Sequence, residues 1–403
     1  MTDSAGRGKG KSLLLQIAAL LVIALIYTGV RYLIDRGAYQ RAHAAYLSGD
    51  CAAAQPVYKQ ILGAFRLGDL GGYEALADQE RMACVPYLDA ENREASGDLP
   101  GAVIAFADIV TDQAGMPLSP AASQRLNALL SQQPPASLAS SAVCDRPAEL
   151  VELAGLPGGG SETLPGLYDA CGALYTQSGA DENAYLMYRA LLEDYPDHAL
   201  ASTAAGAVLQ NVYACDTAAD LGNDPLFSQR AGFLGDLYFT CGEQYSARQQ
   251  FKDAARAYGL FLEAYPTDRR AEDVKSALAR ALIADARQSG AGEIALPEKV
   301  TGSGGATTTV VIQNDSPETV RLVFSGPVTR IEELPPCETC VKYYGDGPEY
   351  CPEKGPIGSY ELPSGSYDVL VESSTDQGVI PFTGQWEMEG GEYFSCFFIV
   401  EKP

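Results

Sequence analysis

Histidine is almost missing from this chain. Two, His43 and His198, stand in 403 residues, and no Gly-x-Ser-x-Gly, His-Glu-x2-His or spaced Ser/His/Asp set accompanies them. Hydrolytic triads and zinc-protease helices need such sets, because the general base or the metal ligands come from those side chains. Both histidines read as surface residues on or beside helices. Tryptophan occurs once, in Gly384-Gln385-Trp386-Glu387-Met388, where it is either a core residue or a sugar-stacking platform. Basic residues are also scarce: 28 Lys and Arg against 52 Asp and Glu, a net charge of −24. Beyond residue 34 the balance is 24 bases to 51 acids. Such a surface repels phosphate backbones and argues against nucleic acid as a partner. It suits cations, basic partners or plain solubility. With so many carboxylates some pairs fall close by chance, so pairing carries no weight for glycoside hydrolysis. No cofactor and no enzymatic activity are expected.

Long hydrophobic runs are absent apart from one. Leu13–Val30 reads LLLQIAALLVIALIYTGV, 18 residues broken only by Gln16, Tyr27 and Thr28. Extended to Ile34 it is long enough for a hydrocarbon core of ~30 Å, with Arg31 able to snorkel. A signal-peptide core runs about 7–15 residues and meets its small-residue cleavage site at once. Here the core is longer, and Ala42-His43-Ala44 comes well after it. The expectation is a transmembrane helix at 12–34 behind a cytoplasmic tail at 1–11. A cleaved signal and a buried core helix are the alternatives. Arg7, Lys9 and Lys11 precede the run, while Arg31, Arg36 and Arg41 follow it with Asp35, so the positive-inside bias is modest. Ten cysteines are many for a reducing cytosol. Together with the acidity they favour a cytoplasmic N-terminus and an extracytoplasmic bulk. Ala5-x4-Gly10-Lys11-Ser12 matches a loose phosphate-loop pattern, but that loop needs a preceding strand, and none is expected here.

The middle of the chain repeats itself at an offset of 70. Tyr168-x2-Cys171-Gly172-x2-Tyr175-x8-Ala184-x3-Tyr188-x6-Tyr195-Pro196 recurs as Tyr238-x2-Cys241-Gly242-x2-Tyr245-x8-Ala254-x3-Tyr258-x6-Tyr265-Pro266. Small Gly172 and Ala184 would let two helices approach, tyrosines at helical spacing would fill the space between them, and the prolines would end the second helix. The pattern resembles the tetratricopeptide repeat, a 34-residue helix-turn-helix, with cysteine where that family usually has leucine. Gly49-Asp50-x3-Ala54-x3-Tyr58 and Gly97-Asp98-x3-Ala102-x3-Phe106 carry its turn and second-helix marks. Four repeats are read, near 35–68, 83–116, 165–198 and 235–268, with a third helix after each of the last two. The resemblance covers about a third of the chain. It implies a concave surface for a protein or peptide partner and no chemistry. A structural spacer is the plainer alternative.

Cysteines follow these repeats. Cys144-Asp145 and Cys215-Asp216 each lie 26 or 27 residues before a Cys-Gly. One bridge per unit would pair Cys144 with Cys171 and Cys215 with Cys241, leaving Cys51 for Cys84. Unbonded core cysteines are the alternative. Residues 117–143, rich in Ser, Pro, Ala and Gln, read as a linker, and Gly155–Gly160 as a flexible spot.

After residue 288 the helical pattern stops. Residues 289–306 read as a Gly-rich linker. In 307–403, runs at Thr308–Gln313, Val320–Ser325, Tyr367–Glu372, Gly384–Met388 and Tyr393–Val400 alternate with turn signals, which predicts a small antiparallel β-sandwich. Leu362-Pro363-Ser364-Gly365-Ser366-Tyr367 is similar to the Pro-x-Gly-x-Tyr turn of PEGA and carboxypeptidase-regulatory-like sandwiches, which implies an accessory extracytoplasmic module. Cys337-x2-Cys340-x10-Cys351 with Cys396 fits three readings. These are two disulfides of unassigned connectivity, a four-cysteine zinc site, and a redox Cys-x2-Cys, which would need a helix N-terminus under Cys337.

The fold expected is multidomain: one transmembrane helix, a tetratricopeptide-like helical region at 35–116 and 144–288, and a C-terminal all-β sandwich. The function expected is a membrane-tethered scaffold of bacterial envelope type that binds a protein or peptide. An envelope- or carbohydrate-binding protein acting through the β module and a cysteine metal or redox protein are the alternatives.

Overall fold

The computed structural model of the chain describes residues 7–156, 160–230, 232–302, 304–345, 347–373 and 378–401. It divides into two compact units, Met1–Ala205 and Gly206–Pro403. In the first, the helices are α1 (Arg7–Leu47), α2 (Cys51–Leu62), α3 (Tyr73–Ser96), α4 (Leu99–Asp112), α5 (Ser119–Gln132), α6 (Pro135–Leu138), α7 (Ser141–Cys144), α8 (Pro147–Leu153), α9 (Thr163–Ser178) and α10 (Asp181–Asp194). After α11 (Ala201–Gln210), the second holds α12 (Val212–Asp216), α13 (Ala218–Leu221), α14 (Pro225–Ser228), α15 (Phe233–Ala247), α16 (Phe251–Ala264) and α17 (Ala271–Gln288).

Helix α1 has two characters. Along its apolar run the side chains before Tyr27 are left largely uncovered: Leu15 is 74% and Leu25 72% exposed. Among the described residues α1 is the one helix long and apolar enough to cross a membrane, and none of its most apolar stretch is buried. A buried core helix, one of the sequence alternatives, would have that stretch packed against neighbours. Beyond Ile34 the helix continues without a break to Leu47, so the boundary expected at residue 34 is a change of environment and not of structure. There Asp35, Ala38, Ala42 and Tyr46 turn one buried face to the fold, at the spacing of an amphipathic helix.

Four helix pairs, α1/α2, α3/α4, α9/α10 and α15/α16, are joined by turns of one geometry. Gly49, Gly97, Gly179 and Gln249 have φ of +82°, +86°, +73° and +60°. The next residues, Asp50, Asp98, Ala180 and Gln250, have ψ of 67°, 68°, 67° and 66°. Each of these second residues donates its N–H to the carbonyl five residues back, at Ala45, Arg93, Tyr175 and Tyr245, and each bond is 2.9 Å long. This is the Schellman closure, which satisfies a carbonyl at the helix end and favours glycine at the left-handed residue. Asp50 and Asp98 then cap the next helix by accepting from the Ala53 and Gly101 N–H groups, a standard N-cap bond.

Residues 117–143 are not a linker. They form α5, α6 and α7, with Leu118, Leu126, Leu129, Leu130 and Leu138 buried. Leucine at 126, 129 and 130 is a helical stripe. Pro120 and Pro135 sit in first turns, where proline is tolerated. Composition hid the period. Of the expected flexible spot at 155–160, residues 157–159 lie outside the described residues.

The strands of the second unit are β1 (Gly292–Glu293), β2 (Glu298–Thr301), β3 (Thr307–Asn314), β4 (Val320–Ser325), β5 (Thr329–Leu334), β6 (Tyr343–Tyr344), β7 (Ile357–Pro363), β8 (Gly365–Ser373), β9 (Phe382–Met388), β10 (Gly391–Phe397) and β11 (Val400–Glu401). They build sheets ordered β1-β9-β8-β4-β5, β2-β10-β3-β7 and β11-β6. Val310, Ile312, Tyr360, Leu362 and Tyr393 of the four-stranded sheet share one core with Leu322, Phe324, Tyr367, Val369, Trp386 and Met388 of the five-stranded sheet. Trp386 is fully buried, so it is a core residue and no sugar platform.

Two expectations change here, and one feature is new. Pairing is mixed, because β3/β10, β1/β9 and β6/β11 run parallel. Residues 289–306 are no free linker, since they supply edge strands β1 and β2 to two different sheets. The outer face of the five-stranded sheet, at Val323 and Leu370, is covered by Ala279, Ile283 and Ala286 of α17. That contact follows from the period of two in a strand: Tyr367, Val369 and Val371 face the inner core, and Leu370 faces the helix. Strands β5 and β7 escaped the sequence reading, because TRIEEL and IGSYELP are charged or carry Gly and Pro.

Two substitutions test the helix pairs. An added Cβ at Gly172 would come within 2.6 Å of the Tyr188 ring. Gly172→Ala should therefore cost about 1–3 kcal/mol of overpacking, although alanine favours helix by about 1 kcal/mol. Gln249 holds the left-handed position that glycine fills in the other three turns. Gln249→Gly should raise stability by about 0.5–1 kcal/mol. Denaturant titrations of both variants check the opposite signs.

Candidate interaction surface

The repeat residues singled out in the sequence come together as helix-pair interiors. Tyr168, Gly172 and Tyr175 on α9 meet Ala184 and Tyr188 on α10, and Tyr238, Gly242 and Tyr245 on α15 meet Ala254 and Tyr258 on α16. All ten are buried, and Gly172 and Gly242 lie directly under the rings of Tyr188 and Tyr258. Disulfides join Cys51 to Cys84, Cys144 to Cys171 and Cys215 to Cys241. Each ties a helix of a pair to another helical segment.

Beside two of these bridges lies a bond the sequence reading missed. Tyr175 Oη donates to Asp145 at 3.2 Å, and Tyr245 Oη donates to Asp216 at 2.5 Å. The aspartate follows the first cysteine of its bridge, and the tyrosine stands one helical turn beyond the second cysteine. Disulfide and hydrogen bond therefore clamp the same two segments. The recurring Cys-Asp pair was the available signal. Burial, then the nearby carboxylate, pushes both hydroxyls above their ordinary range. Burial and Asp194 push Tyr168 up to about 12.

Glu80 is the hub of the first three helices. It is buried on α3 among Ala77, Cys84 and Tyr87. Its carboxylate accepts from Tyr39 Oη of α1 at 2.5 Å and from Tyr58 Oη of α2, and His43 Nδ1 lies 2.8 Å away. His43 is thus a half-buried partner of a carboxylate and not a plain surface residue. His198 is also partly buried, with Nδ1 accepting from the Leu200 N–H at 3.2 Å. The spacing 77, 80, 84, 87 puts Glu80 on the apolar face, and that was legible in the sequence.

A groove of 640 Å³ runs along α3, α4 and the residues entering α7. Pro86, Pro100, Ile104 and Ile109 give it an apolar floor, and Asp89, Asp98, Asp108 and Asp112 give it charge. Among the residues lining it Arg93 is the one cation, and it is engaged by Asp89 at 2.9 Å and Asp98 at 3.4 Å. Arg146 binds Asp108 from outside the lining at 2.6 Å. With Arg93 and Arg146 set against four aspartates, the groove keeps a negative balance over an apolar floor.

In the β region Cys337 bonds Cys340, and Cys351 bonds Cys396. No thiolate remains there for a four-cysteine zinc site, and no free cysteine stands among the described residues. Cys337 lies in a turn and not at a helix N-terminus. The Cys351 loop is fixed by buried Asp315, whose carboxylate accepts the N–H groups of Glu353, Lys354 and Gly355 at 3.2, 2.8 and 2.7 Å. Charge-assisted bonds of this kind are among the stronger ones in a fold. No family model matches the chain, and no curated protein matches it.

Tyr168, Tyr175 and Tyr245 give a pH signature. Their folded values are raised, so their contribution to stability is complete below the ordinary tyrosine range near 10. It is lost as pH rises through the folded values, towards 12 for Tyr168. Ultraviolet titration should show a class of tyrosinates that forms only as helical circular dichroism is lost. Tyr175→Phe with Tyr245→Phe should shrink that class.

Proposed function

We propose that this chain is a single-pass membrane protein with a cytoplasmic N-terminus, holding a disulfide-bonded, acidic scaffold on the extracytoplasmic side of a bacterial envelope. In this reading the four helix pairs are tetratricopeptide-like repeats, and the two sheets that share a core form an accessory sandwich. The partner is a basic segment of a peptide or protein, held in the groove between α3 and α4. No reaction and no cofactor are assigned to the chain.

The recurrence of one turn geometry at Gly49, Gly97, Gly179 and Gln249 is the observation that carries the repeat reading. Repeats built from such pairs present concave surfaces where they stack. The groove supports a cationic occupant because four aspartates line it with one engaged arginine. Five disulfides support an oxidising compartment, and an uncovered apolar helix supports anchoring.

Binding of a Lys/Arg-rich peptide interspersed with leucines to the purified full chain in detergent tests the groove. Asp108→Asn with Asp112→Asn should weaken it at least tenfold. The wild-type affinity should fall as salt rises, because exposed charges are screened. Equal affinity in the variant, or equal binding of an acidic peptide, would remove the groove from the account.

A further inference from the structure

Residues 63–72 join α2 to α3, and they lie against α1 at the end of its apolar run. Tyr27 Oη donates to the Phe65 carbonyl at 2.7 Å, and the two rings stand 6.2 Å apart. Further along α1, Tyr32 meets Tyr73 at 5.7 Å between ring centres. The cation of this loop is turned inward. Arg66, only 6% exposed at its side chain, binds Asp35 at 3.0 Å, and Asp35 also binds Arg31 at 2.6 Å. Asp69 is spent locally, accepting the Glu74 N–H at 3.1 Å. Three apolar side chains of the loop face outward, Phe65 at 72%, Leu67 at 56% and Leu70 at 55% exposed, with Asp69 the one exposed charge among them.

Tyr27 belongs to the apolar run itself, three residues before its end at Val30. At 1.5 Å per residue along a helix, the tyrosine that binds the Phe65 carbonyl therefore stands about 4–5 Å inside the level where that run ends. A loop at this depth has its outward side chains where acyl chains give way to headgroups. The tyrosines at 27, 32 and 73 stand where aromatic side chains collect at membrane interfaces. The Tyr27–Phe65 bond also satisfies a hydroxyl that would otherwise face hydrocarbon, where an unmade hydrogen bond is costly.

We infer that the 63–72 loop is a second membrane contact, inserting Phe65, Leu67 and Leu70 into the interface of the same bilayer that α1 crosses. The inference rests on the reading of α1 as a transmembrane helix. The occupant is lipid: the exposed side chains continue the uncovered apolar surface of α1, and the loop's arginine is already paired inward. Insertion is apolar in character, so anionic headgroups add nothing to it. The loop fixes how far α1 can slide or tilt, because it meets the interface on one side of the helix.

The test uses the full chain as Phe65→Trp in phosphatidylcholine vesicles, with the signal of buried Trp386 subtracted from the parent chain. Leu67→Trp, on the exposed side of the loop, repeats the measurement should the first variant disturb the Tyr27 contact. Carbonate extraction is run on the same vesicles. The expected result is a chain that resists extraction, with blue-shifted emission from the introduced tryptophan. That emission is quenched more by lipid spin-labelled near the headgroup than near the chain end, and little by aqueous iodide. Replacing a third of the lipid with phosphatidylglycerol leaves the quenching unchanged. A resistant chain whose introduced tryptophan, in both variants, is quenched by iodide and not by labelled lipid overturns the loop contact and leaves the span standing. Introduced tryptophans shielded from both quenchers report protein, such as a second copy, in place of lipid, and overturn it too. A chain released by carbonate overturns the transmembrane reading, and the loop contact falls with it.

Discussion

An apolar helix surface as long as Leu13–Val30, left uncovered by the rest of the fold, has no stable place in water. The other features of the chain stand in relation to that one constraint. Because α1 runs on without a break into the first helix pair, whatever fixes the apolar half also fixes the position of the folded half. Glu80 makes this coupling concrete. One buried carboxylate receives hydroxyls from α1 and α2 while standing on α3, and the Cys51–Cys84 bridge binds α2 to α3 beside it. Losing either partner would leave a buried charge short of donors, which is far more costly than a broken surface pair.

Small domains with modest cores depend on covalent ties, and this chain places them economically. Each bridge in the helical part closes a loop of 26 to 33 residues, a length at which a cross-link restrains the unfolded chain by about 3 kcal/mol in the chain-entropy account. In the α9 and α15 pairs a tyrosine–aspartate bond lies next to the bridge, so the same contact is held twice. In these two pairs a tyrosine ring packs over a glycine of the facing helix, and the covalent bond ties the pair to the segment before it. The second unit is organised differently. Its α17 covers one face of a sheet, and the inner face of that sheet shares its core with the other.

Much of this was legible in the sequence where a pattern had a physical period. The apolar run, the 70-residue recurrence and the Gly-Asp turns each correspond to an element with defined geometry. The cysteine spacings led to the same three pairs that the structure joins in the helical part. The failures have a common cause. Residues 117–143 and 289–306 were weighed by composition, and Ser, Pro and Gly outvoted a leucine stripe in the first and two short strands in the second. Parallel pairing of β3 with β10 cannot be read from one sequence, because alternation looks alike in both directions. The acidic groove was hidden for another reason. Asp89 and Asp108 lie on different helices, and only tertiary packing brings them to one surface. In a chain with 52 acids no local signal marks those four.

The central claim is that α1 crosses a bilayer and carries the folded remainder of the chain to its far side. It is tested most directly by fusing a reporter active only in an oxidising compartment, and separately one active only in the cytosol, behind residue 401 in a bacterial host. The account predicts signal from the first fusion and none from the second. Signal from the cytosolic reporter alone, with the cysteines recovered as free thiols, would contradict it.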